Sequence, residues 1–164
     1  MRKFAFAVTL LFLGFSSAWG QTKTSGTVAC GKASVQHAIP VGDRPDHSFS
    51  ISQTKCNWTK PMTIQGVKNK EGMATQFDEI SGNTSRYHGH WVDTMADGDK
   101  GYYTYKGTAT IKNGMLVSVD DDRWTLVGGT GKLKGLKASG TCKCKGSPDG
   151  SATWECEGTY TPAK

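Results

Sequence analysis

Cys142, Cys144 and Cys156 share one C-terminal stretch, and three thiolates spaced in this way on one face would hold a soft ion such as Cu(I), or zinc if a histidine completed the set. The competing chemistry is a disulfide with one thiol left over, the default wherever a chain is exported to an oxidising compartment. His88 and His90 stand two apart, so on a strand both rings project to one face and could jointly ligate a metal or act as a general base. Trp91, Tyr103, Tyr105, Trp124, Trp154 and Tyr160 offer large flat faces with polar tips, suited to gripping an aromatic or fatty ligand and equally suited to filling a core. In Asp120-Asp121-Asp122 only alternate members can face inward, leaving one or two acids as candidates for a base. The spacing does not match a calcium loop, and a solvated strand edge accounts for the run. Gly128-Gly129-Thr130-Gly131-Lys132 looks like a phosphate loop only superficially, because Leu133 stands where Ser or Thr is required and no helix is evident after it. His37 and His47 flank a loop and have no local partners.

The elements that must position these groups are hairpins. Ser147-Pro148-Asp149-Gly150-Ser151 has the pattern of a three-residue hairpin loop, with Pro presetting φ and Gly supplying the left-handed bulge residue. Pairing Ser147 with Ser151 puts Lys143 opposite Glu155, Cys144 opposite Trp154 and Cys142 opposite Cys156. Lys143, Lys145, Thr153, Glu155, Glu157 and Thr159 then form a solvated face, and Cys142, Cys144, Trp154, Cys156 and Tyr160 a buried one. In this register Cys142 and Cys156 are a non-hydrogen-bonded pair with Cα atoms about 4.5 Å apart, within reach of a disulfide. Whether Cys30 and Cys56 pair with each other or with Cys144 is left open. The turn near Asp97-Gly98 decides which way the histidines face. A two-residue loop puts His90 opposite Tyr105, whereas a three-residue Ala96-Asp97-Gly98 loop puts Trp91 opposite Tyr103 and turns the histidines the other way.

Nearly every other segment is also a short alternating run bounded by Gly, Asn, Asp or Pro. Strands are predicted near 26–39, 47–58, 62–68, 73–79, 86–94, 102–111, 116–126, 138–145 and 152–160, with 41–46 as a loop and Asn113-Gly114 as a type I′ turn. No segment keeps a helical period. Sequential hairpins of this number predict an all-β chain, a single antiparallel up-and-down β-barrel of about eight strands, with a β-sandwich as the structural alternative.

The 164-residue chain opens with two basic residues, an apolar run from Phe4 to Phe15, and Ala18-Trp19-Gly20. Residues 1–20 read as a secretory signal peptide, too short and wrongly flanked for a membrane span, and 21–164 as one domain. No lipobox cysteine follows the apolar run, so the expected product is soluble and periplasmic or secreted. The full chain carries +6, and removing Arg2 and Lys3 with the signal leaves 18 basic against 14 acidic residues, or +4. Both signs are interspersed and no basic run is interleaved with aromatics, which argues against nucleic acid as a partner.

The run from Trp124 through Gly128-Gly129-Thr130-Gly131 to Thr141, preceded by Asp97-Gly98-Asp99-Lys100 and a Tyr-x-Tyr-x-Gly strand at Tyr103 to Gly107, resembles the small exported bacterial proteins of the allene oxide cyclase and dirigent-like barrel group. The resemblance covers roughly 91–160. It implies an eight-stranded barrel whose apolar interior can hold a small ligand. No plant allene oxide cyclase catalytic residue maps onto a position here, and the cysteine cluster and the His-Gly-His stretch are not part of that group's pattern.

Two functions from different classes follow. The favoured one is binding of a small hydrophobic or aromatic molecule, with Trp91, Tyr103, Tyr105, Trp124 and Trp154 lining the site and no cofactor implied. The second is a cofactor-independent isomerase or cyclase, which requires an inward acid, base or hydrogen-bond donor beside the cavity. Copper or zinc held by Cys142, Cys144 and Cys156, or with His88 and His90, is a further alternative. The barrel is compatible with a monomer or a homo-oligomer.

Overall fold

The computed structural model describes residues 20–162, so the apolar segment read as a signal peptide lies outside the described residues except for Gly20. Ten strands run in chain order: β1 Thr22–Cys30, β2 Val35–Pro40, β3 His47–Lys60, β4 Thr63–Ile64, β5 Val67–Ser81, β6 Thr84–Met95, β7 Lys100–Lys112, β8 Met115–Gly129, β9 Lys137–Gly146 and β10 Ala152–Thr161. A 3-10 turn, Gly131–Leu133, interrupts the excursion from β8 to β9.

The circuit β1-β10-β9-β8-β7-β6-β5-β3 closes because β3 pairs with both β5 and β1. This is an eight-stranded antiparallel barrel, with β2 and β4 as two added short strands. A continuous circuit excludes the sandwich alternative and leaves the eight strands of the barrel no free edge along their paired lengths. The C-terminal hairpin has the predicted register: Lys143 opposite Glu155, Cys144 opposite Trp154, Cys142 opposite Cys156. Gly150 has φ 84°, as its loop requires, and Asn113 and Gly114 at 52° and 73° form the expected hairpin turn.

Two strand predictions need correction. The single strand expected over 26–39 is broken at 31–34, and its halves both pair with β3, Cys30 opposite Cys56 and Val35 opposite Gln53. The separate strands expected at 62–68 and 73–79 are instead a two-residue β4 and a long β5. The turn between β4 and β5 is Gln65-Gly66, with φ of 52° and 76°. The gap left between those strands at 69–72 is absent, and Gly72 lies inside β5, facing an indole that leaves no room for a Cβ.

The two ends of the barrel differ. At the end where β3 and β9 meet their loops at residues 61–66 and 130–136, Met62, Ile64, Val67, Met95, Leu126, Leu133 and Leu136 form a dense plug. Ile64, Met95 and Leu133 are each 1 % exposed. Truncating one of them to Ala costs about 2–5 kcal/mol. The opposite end, ringed by the loops at 31–34, 113–114 and 147–151, is open. Two disulfides brace the wall, Cys30–Cys56 and Cys142–Cys156, with Cα separations of 4.0 and 4.1 Å. The second is the predicted bridge, and the first resolves the open pairing, leaving Cys144 as the free cysteine.

Candidate functional site: the barrel interior

Strand alternation sends every second side chain into the barrel. On β6 these are Ser85, Tyr87, Gly89, Trp91, Asp93 and Met95, and on β7 Gly101, Tyr103, Tyr105, Gly107, Ala109 and Ile111. Inward glycines lie under inward aromatics. A Cβ at Gly72 would strike the Trp91 indole, one at Gly89 the Tyr105 ring, one at Gly107 the Tyr87 ring, and one at Gly140 or Gly158 the Trp124 indole. The glycines thus let large rings lie against the wall instead of filling the centre.

The result is a cavity of about 540 Å³ that opens at the unplugged end. Seven aromatic side chains line it: Trp58, Tyr87, Trp91, Tyr103, Tyr105, Trp124 and Trp154. All five residues predicted as ligand-facing are among them. Tyr103 and Trp124 are buried, at 6 % and 8 % exposure, and their rings meet edge to face at 5.9 Å. The Tyr103 and Tyr105 hydroxyls and Trp124 Nε1 are buried without a hydrogen-bond partner among the described residues.

Three carboxylates stand in the same lining. Asp93, fully buried, accepts hydrogen bonds from Trp58 Nε1 at 3.1 Å and from the Asn69 amide. Burial pushes its acid up to about 7 against the pull of the Asn69, Trp58 and Trp91 donors. Asp122 accepts the Tyr87 hydroxyl at 2.8 Å, and burial lifts it to about 6. Asp78 is held by Ser85 at 2.8 Å, Gln76 at 2.9 Å and Ser50 at 3.4 Å, and burial again raises it. The three tyrosines Tyr87, Tyr103 and Tyr105 are pushed up by burial, so they remain protonated donors.

Asp78 and Asp93 are absent from the sequence reading, and Asp122 corrects it. In β8 one extra residue bulges out, with Lys106 opposite Arg123 and Thr108 opposite Asp120, and Asp121 at φ 54°. The bulge leaves Asp120 and Asp121 exposed and buries Asp122, so the run is not simply a solvated edge. The signal for Asp93 lay in the turn before β7. Trp91 is opposite Tyr103, the three-residue alternative, which puts Trp91 and Asp93 on the inner face.

That register also sends His88 and His90 to the outer face, where both are exposed and His88 stacks on Phe77 at 5.5 Å. They cannot meet the cysteines. Cys142 and Cys156 are bridged to each other, which removes two of the three thiolates, and burial raises the Cys144 thiol to about 12. Among the described residues no group of three His, Cys, Asp or Glu side chains converges to hold an ion, so the metal centres considered from sequence are not assembled. No helix among the described residues is long and apolar enough to cross a membrane.

Fold and interior together define a closed antiparallel barrel with an aromatic, carboxylate-bearing cavity. No protein-family model and no curated protein matches the chain. Solved structures do. A protein of unknown function from the DUF3224 family of Shewanella oneidensis MR-1 is 13% identical, with 88% of this chain and 100% of that one covered and a TM-score of 0.47. The conserved protein of unknown function RPA1785 from Rhodopseudomonas palustris is 10% identical over 85% of this chain and 98% of its own, at 0.49. The pterocarpan synthase dirigent protein GePTS1 is 13% identical over 99% of this chain and 100% of its own, at 0.47. At these identities the likeness is one of fold alone.

Proposed function

We propose that the protein binds a small, largely apolar, ring-bearing molecule inside the barrel. The observation that carries this reading is the 540 Å³ cavity walled by seven aromatic side chains, into which unpartnered Tyr103 and Tyr105 hydroxyls and Trp124 Nε1 are built. A buried donor without an acceptor costs about 1–3 kcal/mol, a cost that a ligand's polar group offsets. The cavity volume lies in the range of small-molecule sites. Titrating ring compounds while following tryptophan fluorescence tests the reading, because four of the lining residues are indoles. Native mass spectrometry of protein purified from its source reports a retained ligand directly. If no ring compound perturbs the fluorescence and Trp91→Ala and Trp124→Ala behave as wild type throughout, the proposal fails.

A second reading, cofactor-independent isomerisation or cyclisation, is favoured by one observation. Asp93 and Asp122 have acids raised to about 7 and 6, poised to exchange protons near neutral pH beside the cavity. A catalytic role requires that Asp122→Asn abolish turnover at saturating substrate in protein that still folds.

We further infer export, with the mature chain beginning near Gln21. The two disulfides support it, since such bonds persist in oxidising compartments. Sequencing the N-terminus of the exported protein tests this, and retention of residues 1–20 would overturn it.

A further inference from the structure

The cavity is unbalanced in charge. Asp78, Asp93 and Asp122 line it, and the basic residue in the same lining is Lys32, exposed at the mouth. No ion pair within 4.0 Å engages any of the three carboxylates among the described residues; their partners are neutral donors, namely Ser, Gln, Asn, Trp and Tyr side chains. The walls add to the same sign, because the face of an indole or phenol ring presents negative charge to whatever lies over it. Buried acceptors are also free. Asn69, 2 % exposed and lining the floor of the cavity beside Asp93, leaves Oδ1 without a donor, and the buried Tyr103 hydroxyl is unpartnered. A metal ion does not answer this arrangement, since the carboxylates do not converge on one coordination sphere.

We infer that the ligand is a small organic cation, an ammonium group carried on an apolar body, drawn in by Asp78, Asp93 and Asp122 and packed against the aromatic walls. The inference rests on the interior-binding reading above and names its substrate class. The cation supplies the missing counter-charge, and a quaternary or protonated amine spreads that charge over a volume that aromatic faces accommodate. It selects against carboxylates, phosphates and neutral isosteres of the same shape.

Binding of a permanent cation is then coupled to protonation. Asp78 from β5, Asp93 and Tyr87 from β6, Tyr103 and Tyr105 from β7 and Asp122 from β8 are the titratable groups lining this space, and the Cys144 thiol of β9 feels the Asp122 charge from beside it. His88 acts on Asp78 from the outer face of β6. The linings from β1, β3 and β10 hold no titratable side chain outside the disulfides, and Lys32 of the 31–34 loop is the basic group at the mouth. With Asp122 titrating at about 6 and Asp93 at about 7, affinity for a quaternary ammonium rises from pH 5 to pH 8.

Phenyltrimethylammonium and tert-butylbenzene are isosteres that differ by one charge, and their affinities for the full barrel, measured by tryptophan fluorescence and calorimetry, test the inference. The expected result is that the cation binds at least about tenfold more tightly at pH 8. Its advantage should shrink at pH 5, and Asp78→Asn with Asp122→Asn should shrink it further. Equal or tighter binding of tert-butylbenzene overturns the cation inference and leaves interior binding standing. Binding of neither overturns both. The wild-type comparison stands even if the double variant does not fold.

Discussion

The Tyr87 hydroxyl reaches across Gly107, its cross-strand partner, to donate a 2.8 Å hydrogen bond to Asp122 one strand further on. Three local events converge in that contact. Gly107 presents no Cβ, the bulge at Asp121 turns Asp122 inward, and Tyr87 falls on the inner face of β6. The bond fixes a carboxylate inside an apolar wall by giving it a donor that burial keeps protonated.

Gly107→Ala would force a Cβ into the Tyr87 ring and break that arrangement, at an expected cost of about 1–3 kcal/mol. Tyr87→Phe keeps the ring and removes only the donor, costing about 1–3 kcal/mol through the unsatisfied Asp122. Urea denaturation of the two variants and of their combination checks this. Because both act on one contact, the double variant should lose less than the sum of the two. Strict additivity would count against the contact.

The C-terminal hairpin was legible from the sequence because a Pro-Asp-Gly turn fixes register over several residues, and Cys142 opposite Cys156 followed from it. The aromatic residues were legible only as candidates for a cavity or a core alike, and the turn near Asp97-Gly98 left open whether Trp91 shares the face of Tyr103, which the pairing of the two across β6 and β7 decides. The acids were not. Asp93 depended on choosing a three-residue turn over a two-residue one. Asp122 depended on a bulge at Asp121, a non-glycine residue with positive φ, which sequence does not advertise. Gly72 falls in the gap predicted between strands because its reason for being glycine is Trp91, a contact nineteen residues away that only pairing of β5 with β6 creates.

Gly72→Ala should therefore destabilise the barrel by about 1–3 kcal/mol and weaken ligand binding, because the Trp91 indole has to move off the wall into the cavity. Gly31→Ala is the control. A Cβ there meets nothing closer than the Lys55 carbonyl at 3.9 Å, so its stability should stay within about 0.5 kcal/mol of wild type. Equal effects at both sites would remove the close-approach explanation.

Cys144 should be inert. Its thiol is raised to about 12 by burial and by the Asp122 charge, so the reactive thiolate is scarce at neutral pH. Iodoacetamide at pH 7.5 should leave the native protein unmodified over the time that a denatured sample takes up one equivalent. Rapid labelling of the folded, unreduced protein would contradict this burial.

The two disulfides should differ little in worth. Cys142–Cys156 spans 14 residues and Cys30–Cys56 spans 26, and loop-closure entropy grows only logarithmically with length, so each contributes about 3 kcal/mol. Replacing either pair with serine and measuring denaturation midpoints checks the ranking. The Cys30–Cys56 variant should be marginally the weaker, and it should also loosen the closure, because that bridge ties β1 to β3 where the circuit shuts.

Asp93 makes stability depend on pH with a sign opposite to the usual acid denaturation. Its acid titrates at about 7 in the folded barrel and near 3.8 when unfolded, so between those values the native state holds a proton that the unfolded chain has released. The stabilisation from this proton is fully present below pH 4 and is lost as pH rises to about 7, on the order of 4 kcal/mol at most. Asp122, raised to about 6, acts in the same direction. Asp93→Asn cannot ionise and should flatten this slope, so the stability difference between variant and wild type should move in the variant's favour from pH 4 to pH 8. Parallel curves for the two proteins across that range, from denaturant titrations at fixed ionic strength, would mean that Asp93 enters the folded barrel with an ordinary acidity and that its burial costs nothing.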